Sequence, residues 1–130
     1  MKIIMNEKQL TDLIQQYQKE EMDFDGEVEL MAEEYHDLKE DYTIVKAVAT
    51  GKLQLLGKTL DLIQEIKETE IENIIKFYLE NAGYKTGYIR FTSAIRYEEK
   101  YKHYDDYHGS TVFDNVEIEV KQNVKTKGGI

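Results

Sequence analysis

Cysteine, proline and tryptophan are all absent from the 130 residues of this chain. Without cysteine there is no disulfide, no thiolate nucleophile and no cysteine-ligated zinc or iron–sulfur site. No apolar run approaches the length that crosses a bilayer, and the opening residues MKIIMNEKQL turn polar too early for a signal peptide. We therefore expect one domain over residues 1–130, located in the cytoplasm and not bound to membranes.

Basic residues are scarce in one part of the chain. The net charge is −9, and residues 1–42 hold 13 acids against four lysines, whereas acids and bases balance over residues 43–130. A segment this acidic repels phosphates, which disfavours direct contact with nucleic acid. It attracts a basic protein surface instead, although a solvated face that only aids solubility is the alternative.

The predicted fold class is α+β, with an N-terminal helical hairpin or small bundle of about four helices over residues 6–82. The first helix starts at the N-cap Asn6, and the second carries Val28, Met31, Tyr35 and Leu38 on one stripe. The third is a core helix over residues 52–67. The fourth opens with a capping box of Thr69 and Glu72 and stops at Gly83.

The C-terminal part favours strands. Alternating apolar residues in TGYIRFTSAIRY and TVFDNVEIEVKQ predict an antiparallel β-hairpin or small sheet over residues 86–121, and residues 122–130 form a flexible tail. The tyrosine spacing over 94–107 fits a helix or a hairpin equally well. Tyrosine and arginine side chains in this part are favoured as interface anchors.

The chain contains one DxDG sequence, at Asp23–Gly26 in the most acidic stretch. It resembles an EF-hand loop, but the twelfth place, which needs a bidentate glutamate, is Ala32. It also resembles the nucleophile motif of haloacid-dehalogenase-like phosphatases, yet no apolar strand precedes it. We interpret it as an acidic turn between helices, and we predict no metal site there or at His103–His108, no cofactor and no catalytic residue.

Two carboxylate pairs give an alternative interpretation. Glu34 with Asp37 and Glu65 with Glu68 repeat an ExxD/E spacing that resembles all-α nucleoside triphosphate pyrophosphatases of the MazG type. That resemblance covers residues 28–68 and implies Mg²⁺-dependent nucleotide hydrolysis. The segment IVKAVATGKL, in which that family tends to place its second acidic pair, contains no acid.

The leading hypothesis is a small, acidic, non-enzymatic binding protein, an accessory factor of a phage or mobile element. It would occupy a basic surface of a bacterial host protein and inhibit a nucleic-acid-binding or defence enzyme, as an anti-CRISPR protein or nucleic-acid mimic does. A virion structural or assembly protein is a further alternative, and the broad apolar face over residues 53–79 favours a homodimer. The predicted partner-binding residues are Glu20, Glu21, Asp23, Asp25, Glu27, Glu29, Glu33, Glu34, Asp37, Tyr97, Tyr101 and Tyr104.

Overall fold

The computed structural model describes residues 1–36, 38–39, 41–98 and 108–122, and within them the chain forms two helices and six strands. In chain order the elements are β1 (Lys2–Asn6), α1 (Glu7–Glu21), β2 (Gly26–His36), β3 (Asp41–Leu55), β4 (Lys58–Ile66), α2 (Glu68–Asn81), β5 (Tyr84–Glu98) and β6 (His108–Gln122). The prediction of a four-helix N-terminal part followed by a small sheet is therefore wrong. Two of the four expected helices are strands.

The strands form two antiparallel sheets of three strands each, in the orders β2-β3-β4 and β1-β6-β5. Each sheet follows the same plan, in which a helix leads into an antiparallel meander. Helix α1 precedes β2, β3 and β4, and α2 precedes β5 and β6. The third strand of the second meander is β1, which pairs with β6 from Lys2 opposite Glu119 to Asn6 opposite Asn115.

One hydrophobic cluster joins both helices to both sheets. Helix α1 packs against β2 and α2, while α2 packs against β5 and β3. The buried side chains are Leu10, Ile14, Leu30, Val45, Ala47, Ala49, Ile66, Ile71, Ile74, Ile75, Phe113, Val116, Ile118 and Val120. Because each strand alternates its faces, each sheet buries one face in this cluster and leaves the other outward.

The first and fourth predicted helices are confirmed. Asn6 caps α1 through a capping box, in which its side chain accepts from the Gln9 backbone N–H at 2.9 Å and the Gln9 side chain accepts from the Asn6 N–H. Helix α2 begins one residue before Thr69, with Lys67 as an N-cap that makes no side-chain hydrogen bond. The Glu68 carboxylate instead accepts from the Val45 N–H at 3.1 Å, which ties α2 to β3.

The second predicted helix, with Val28, Met31, Tyr35 and Leu38 on one stripe, is strand β2 as far as His36. Val28, Leu30 and Ala32 point into the core at a spacing of two, while Glu27, Glu29 and Met31 point outward. Glutamate is depleted in strands as an intrinsic preference, but burial of the alternate apolar positions against α1 decides the conformation. Glu27, Glu29 and Glu33 therefore lie on the outward face of a strand.

The third predicted helix, over residues 52–67, is the hairpin formed by the end of β3 and β4. Its two-residue turn is Leu56-Gly57, with φ of 51° and 74°. Both central residues have positive φ, as a type I′ hairpin turn requires, and glycine meets that requirement without strain. Leucines recur at a spacing of two on each arm, and Leu53 pairs with Leu60 across the hairpin.

Strands β5 and β6 confirm the predicted C-terminal strands. Their register shifts between Thr92 and Ser93, opposite Asn115 and Phe113, so that Asp114 is the extra residue of a β-bulge. The segment 94–107, left open as helix or hairpin, is strand as far as Glu98, and its remainder lies outside the described residues. The predicted tail beyond Gln122 also lies outside them.

Candidate functional site

The DxDG sequence ends helix α1 and starts strand β2, rather than joining two helices. Asp23 adopts a left-handed conformation with φ of 52°, which aspartate tolerates better than most residues. This reverses the chain so that the Phe24 N–H donates to the Gln18 carbonyl at 2.9 Å. Asp23 is therefore a helix stop.

Gly26 is required because two groups lie where its side chain would be. A Cβ at this position would lie 2.4 Å from the Thr50 carbonyl oxygen and 2.7 Å from the Phe24 ring. The same ring covers Gly51, the residue paired with Gly26. Phe24 therefore packs over a glycine pair on the inner face of the sheet, and this contact fixes the position of the acidic turn against β3.

Six carboxylates surround this turn, and we name them the acidic rim. They are Glu20, Glu21, Asp23, Asp25, Glu27 and Glu29, and all six are exposed. Within the described part of the chain, none of them forms an ion pair, although Glu20 accepts a hydrogen bond from Gln16. Burial raises the pKa of Tyr78 on α2, and the nearby charges of Glu20 and Glu21 raise it further.

The other two described carboxylates of the predicted set are engaged. Lys46 donates to Glu33 at 2.6 Å and the Tyr35 hydroxyl donates to it at 2.7 Å, so that both hydrogen bonds lower the pKa of Glu33. Glu34, on the opposite face of β2, accepts a hydrogen bond from the Thr111 hydroxyl of β6. Glu33 and Glu34 are therefore less available to a partner than the acidic rim.

An open cleft of about 830 Å³ lies between the start of α1, strand β2 and the β5–β6 pair. Four carboxylates line it, from Glu7, Asp12, Glu29 and the bulge residue Asp114. Among the described residues, Lys8 is the one basic residue in its lining, and its ammonium group is 2.9 Å from the Asp12 carboxylate. Its apolar lining is provided by Val28, Leu30, Ala94, Ile95, Val112 and Phe113.

Two strand edges face this cleft. Strand β2 is at the edge of its sheet, and β6 pairs with β1 only from Asn115 onward, so the β1 side of residues 111–114 has no strand partner among the described residues. Unpaired strand edges accept an extended peptide by backbone hydrogen bonding. The cleft thus combines negative charge with backbone edges suited to an extended segment.

The described residues do not test the predicted tyrosines as partner-binding residues. Tyr97 is placed only as a backbone position of β5, paired with Gly109, and Tyr101, Tyr104 and Asp37 lie outside the described residues. The sequence interpretation missed a different aromatic pair. Tyr35 and Tyr42 stack across β2 and β3 with ring centroids 5.4 Å apart, next to Lys46. Their strand pairing becomes visible only once β2 is recognised as a strand.

The carboxylate pairs of the alternative interpretation do not sit on helices that face each other. Glu34 and Glu65 lie on strands, and Glu68 is at the start of α2 with its carboxylate bonded to the backbone of β3. The all-α scaffold that the resemblance implies is overturned by the six strands. In the described residues, no group of three or more histidine, aspartate or glutamate side chains is arranged to hold a metal ion.

Neither helix among the described residues combines the length and apolar character needed to span a membrane. Comparison of the chain with protein-family models, curated proteins and solved structures found no match.

Proposed function

We propose that this protein is a non-enzymatic binding module that occupies a basic surface of a bacterial host protein in the cytoplasm. The observation that carries the proposal is the acidic rim, a set of exposed carboxylates without ion-pair partners among the described residues. A partner that normally holds nucleic acid has such a basic surface, and occupying it would inhibit that protein.

Charge distribution supports a directed interaction rather than general solubility. A surface that serves only solubility intersperses both signs of charge, whereas residues 20–34 contain eight acids and no base. A single-sign surface steers a partner of opposite charge and raises the rate of encounter. The rim and the cleft share Glu29, so the negative surface continues from the turn into the cleft.

The cleft supports an extended basic segment as the part of the partner that enters. A peptide that binds as an extra strand pairs its backbone with the unpaired edge of β2 or β6. Its side chains alternate between two faces, and those on one face would meet the carboxylates that line the cleft, which are Glu7, Asp12, Glu29 and Asp114. Lysine or arginine on that face would pair with Glu7, Glu29 and Asp114, which form no ion pair among the described residues, whereas Asp12 is already paired with Lys8.

Binding to basic host proteins tests this proposal. The probe is the heparin-binding fraction of a bacterial lysate, treated with DNase and RNase, applied to the immobilised protein. The variant carries Asp25→Asn, Glu27→Gln and Glu29→Gln. The matched control carries Glu72→Gln, Glu80→Gln and Glu119→Gln, which remove the same number of charges elsewhere.

The rim variant is expected to lose about tenfold or more in affinity for a captured protein, and the control to lose much less. Wild-type affinity should also fall between about 0.05 M and about 0.5 M salt, as screening shortens the reach of the charges. Equal losses in the two variants, or an affinity that salt leaves unchanged, would contradict the proposal.

A further inference from the structure

The β3–β4 hairpin extends beyond the rest of its sheet. Strand β2 begins opposite Gly51, so among the described residues β3 and β4 have no third strand beside them over residues 52–61, and Leu62 and Ile63 lie at the base of this segment, opposite Gly51 and Thr50. Every residue from 52 to 63 is exposed. We name this segment the ribbon. Two strands with solvent on both faces are marginally stable alone, so a ribbon of this kind gains most when another surface covers it.

The two faces of the ribbon differ sharply. One face carries Leu53, Leu55, Leu60 and Leu62, each 41–52% exposed, and we name it the leucine face. It continues the core-facing side of β3, because Ala47, Ala49 and Gly51 precede Leu53 at a spacing of two and are buried. The core therefore extends onto the ribbon as an uncovered apolar surface.

The opposite face pairs its polar groups within the ribbon. Lys52 binds Asp61, and the Gln54 and Thr59 side chains hydrogen-bond to each other at 2.9 Å. Ile63 is the apolar residue on this side, and it is 67% exposed. Because these polar groups are satisfied, the leucine face is the side of the ribbon that gains from a partner.

A small pocket of about 190 Å³ lies at the base of the ribbon, between the end of α1, strand β4 and helix α2. Its polar lining includes the amides of Gln18, Gln64 and Asn73 and the carboxylate of Glu70. Gln18 is 3% exposed, and its Oε1 atom has no hydrogen-bond partner among the described residues. A buried acceptor of this kind is costly to leave unpaired. The pocket is therefore suited to a cationic donor.

A cationic donor is present at the other end of the same face. Lys58 is opposite Leu55 at the tip, on the leucine side, and it is exposed. Gln64 is six residues from Lys58 along β4, about 20 Å at the strand rise. Lys58 of the same molecule therefore does not reach the pocket, whereas Lys58 of a second molecule, packed antiparallel on the leucine face, would be placed to reach it.

We propose that the ribbon is the interface of a symmetric homodimer, in which the leucine faces of two copies pack together in opposite directions. In this register Leu60 of each copy covers Leu62 of the other, and Lys58 of each copy enters the pocket beside Gln64 of the other. A two-fold axis requires a surface that complements itself, and an apolar face with a cation at one end and acceptors at the other meets that requirement.

The charge of the ribbon favours it over the rest of the surface as the contact between two copies. The ribbon carries two lysines and one aspartate, whereas the chain as a whole carries −9. Two copies that meet through the ribbon avoid placing one acidic rim directly on the other, and each Lys58 approaches the carboxylate of Glu70. This proposal is independent of the proposed function, because it uses neither the acidic rim nor the cleft as its contact surface.

Sedimentation equilibrium tests the interface. The wild-type chain is expected to reach twice its monomer mass of 15.3 kDa as its concentration rises. Leu60→Ser with Leu62→Ser should raise the dimer dissociation constant by about 100-fold or more, because the leucines are buried twice in the symmetric pair. The matched control is Ile63→Ser, which removes a more exposed apolar residue from the opposite face and should leave the dissociation constant within about threefold of wild type.

Charge exchange tests the register. Lys58→Glu and Glu70→Lys are each expected to weaken the dimer by about tenfold, and the double variant to recover most of the loss. Circular dichroism at each step confirms that the variants are folded. A wild-type monomer at every concentration, a dimer that depends on Ile63 rather than on Leu60 and Leu62, or a double variant no better than the single ones would overturn the proposal.

Discussion

The acidic rim and the ribbon meet at the Gly26–Gly51 pair, yet they present opposite surface chemistry. The rim exposes carboxylates without ion-pair partners among the described residues, and its aromatic side chain, Phe24, packs inward over the glycines. The ribbon pairs its Lys52 and Asp61 charges and exposes leucines. The attraction of the acidic rim for a charged partner therefore extends over a distance and weakens as salt is added. The attraction of the leucine face requires direct contact and does not weaken with salt.

The difference shows how one β-strand serves two purposes. Strand β3 has neighbours on both sides as far as Gly51, and beyond it only β4 remains. The start of β2 therefore defines both the acidic rim and the ribbon. The chain enters β2 through the acidic turn, and beyond this point β3 has no neighbouring strand on the β2 side. Changes at this junction should affect both surfaces, and changes away from it should affect one.

The largest effect is expected from Gly26→Ala, which breaks the junction itself. The new methyl group would lie 2.4 Å from the Thr50 carbonyl oxygen, and this backbone atom moves only if β2 separates from β3. We expect a loss of about 3 kcal/mol in the free energy of unfolding, measured by urea denaturation.

Gly87→Ala is the control for this change. A Cβ at Gly87 would lie 3.3 Å from the Glu119 Cβ, a contact relieved by a shift of a few tenths of an ångström, and 3.4 Å from the Glu119 Cγ and Cδ, which are able to turn aside. The control should cost far less than Gly26→Ala. A Gly26→Ala variant as stable as this control would show that the glycine pair does not fix the turn.

A moderate gain is expected from Leu56→Asn at the tip of the ribbon. Leu56 is 93% exposed and holds φ of 51°, a conformation that asparagine adopts more readily than leucine and that Asn-Gly turns prefer. The free energy of unfolding should rise by about 1 kcal/mol in urea denaturation, without weakening self-association. Leu56→Ala removes the same exposed side chain without this preference, so an equal gain in that variant would assign the effect to lost apolar exposure.

The smallest effect is expected from Glu33→Gln, which tests the outer face of β2 away from the junction. Hydrogen bonds from Lys46 and Tyr35 lower the pKa of Glu33, so its contribution to stability is present above the ordinary glutamate pKa and is lost as pH falls through the folded value. The difference in thermal midpoint between wild type and variant should therefore be greatest near neutral pH and shrink in acid. A difference that grew in acid would contradict this assignment.

Glu29→Gln is the control, because Glu29 lies on the same face of β2 and has no ion-pair partner among the described residues. It separates the loss of one negative charge from the loss of the contact with Lys46. A pH-dependent difference of the same size in this control would assign the effect to net charge.

Local signals in the sequence identified the elements whose pattern agrees with their environment. The capping box at Asn6 and the isoleucine spacing of α2 predicted two helices, and strict alternation predicted β5 and β6. Strand β2 was missed because Met31 and Tyr35 lie on its outward side, and together with Val28 they give spacings of three and four that fit a helix. The ribbon was missed because six leucines and isoleucines within twelve residues fit a helical stripe as well as a hairpin.

The sequence predicted which acidic residues make up the candidate site, but it did not predict how they are arranged in space. The acidic excess of residues 20–34 already placed the rim in the sequence, and the rejection of the DxDG as a calcium loop rested on the missing glutamate at Ala32. Which carboxylates remain unpaired depends on the strand register, since Lys46 reaches Glu33 only across β2 and β3. The cleft depends on the bulge at Asp114 and on the short length of β1, and neither has a signal in the sequence.

The pairing of β1 with β6 also sets the order in which the two sheets are able to form. Strands β2, β3 and β4 follow one another closely, so their sheet closes through short loops. Lys2 pairs with Glu119, and the β1–β6 contact is formed only after almost the whole intervening chain has been made. During synthesis the sheet that carries the ribbon is therefore complete while β1 still lacks its partner strand.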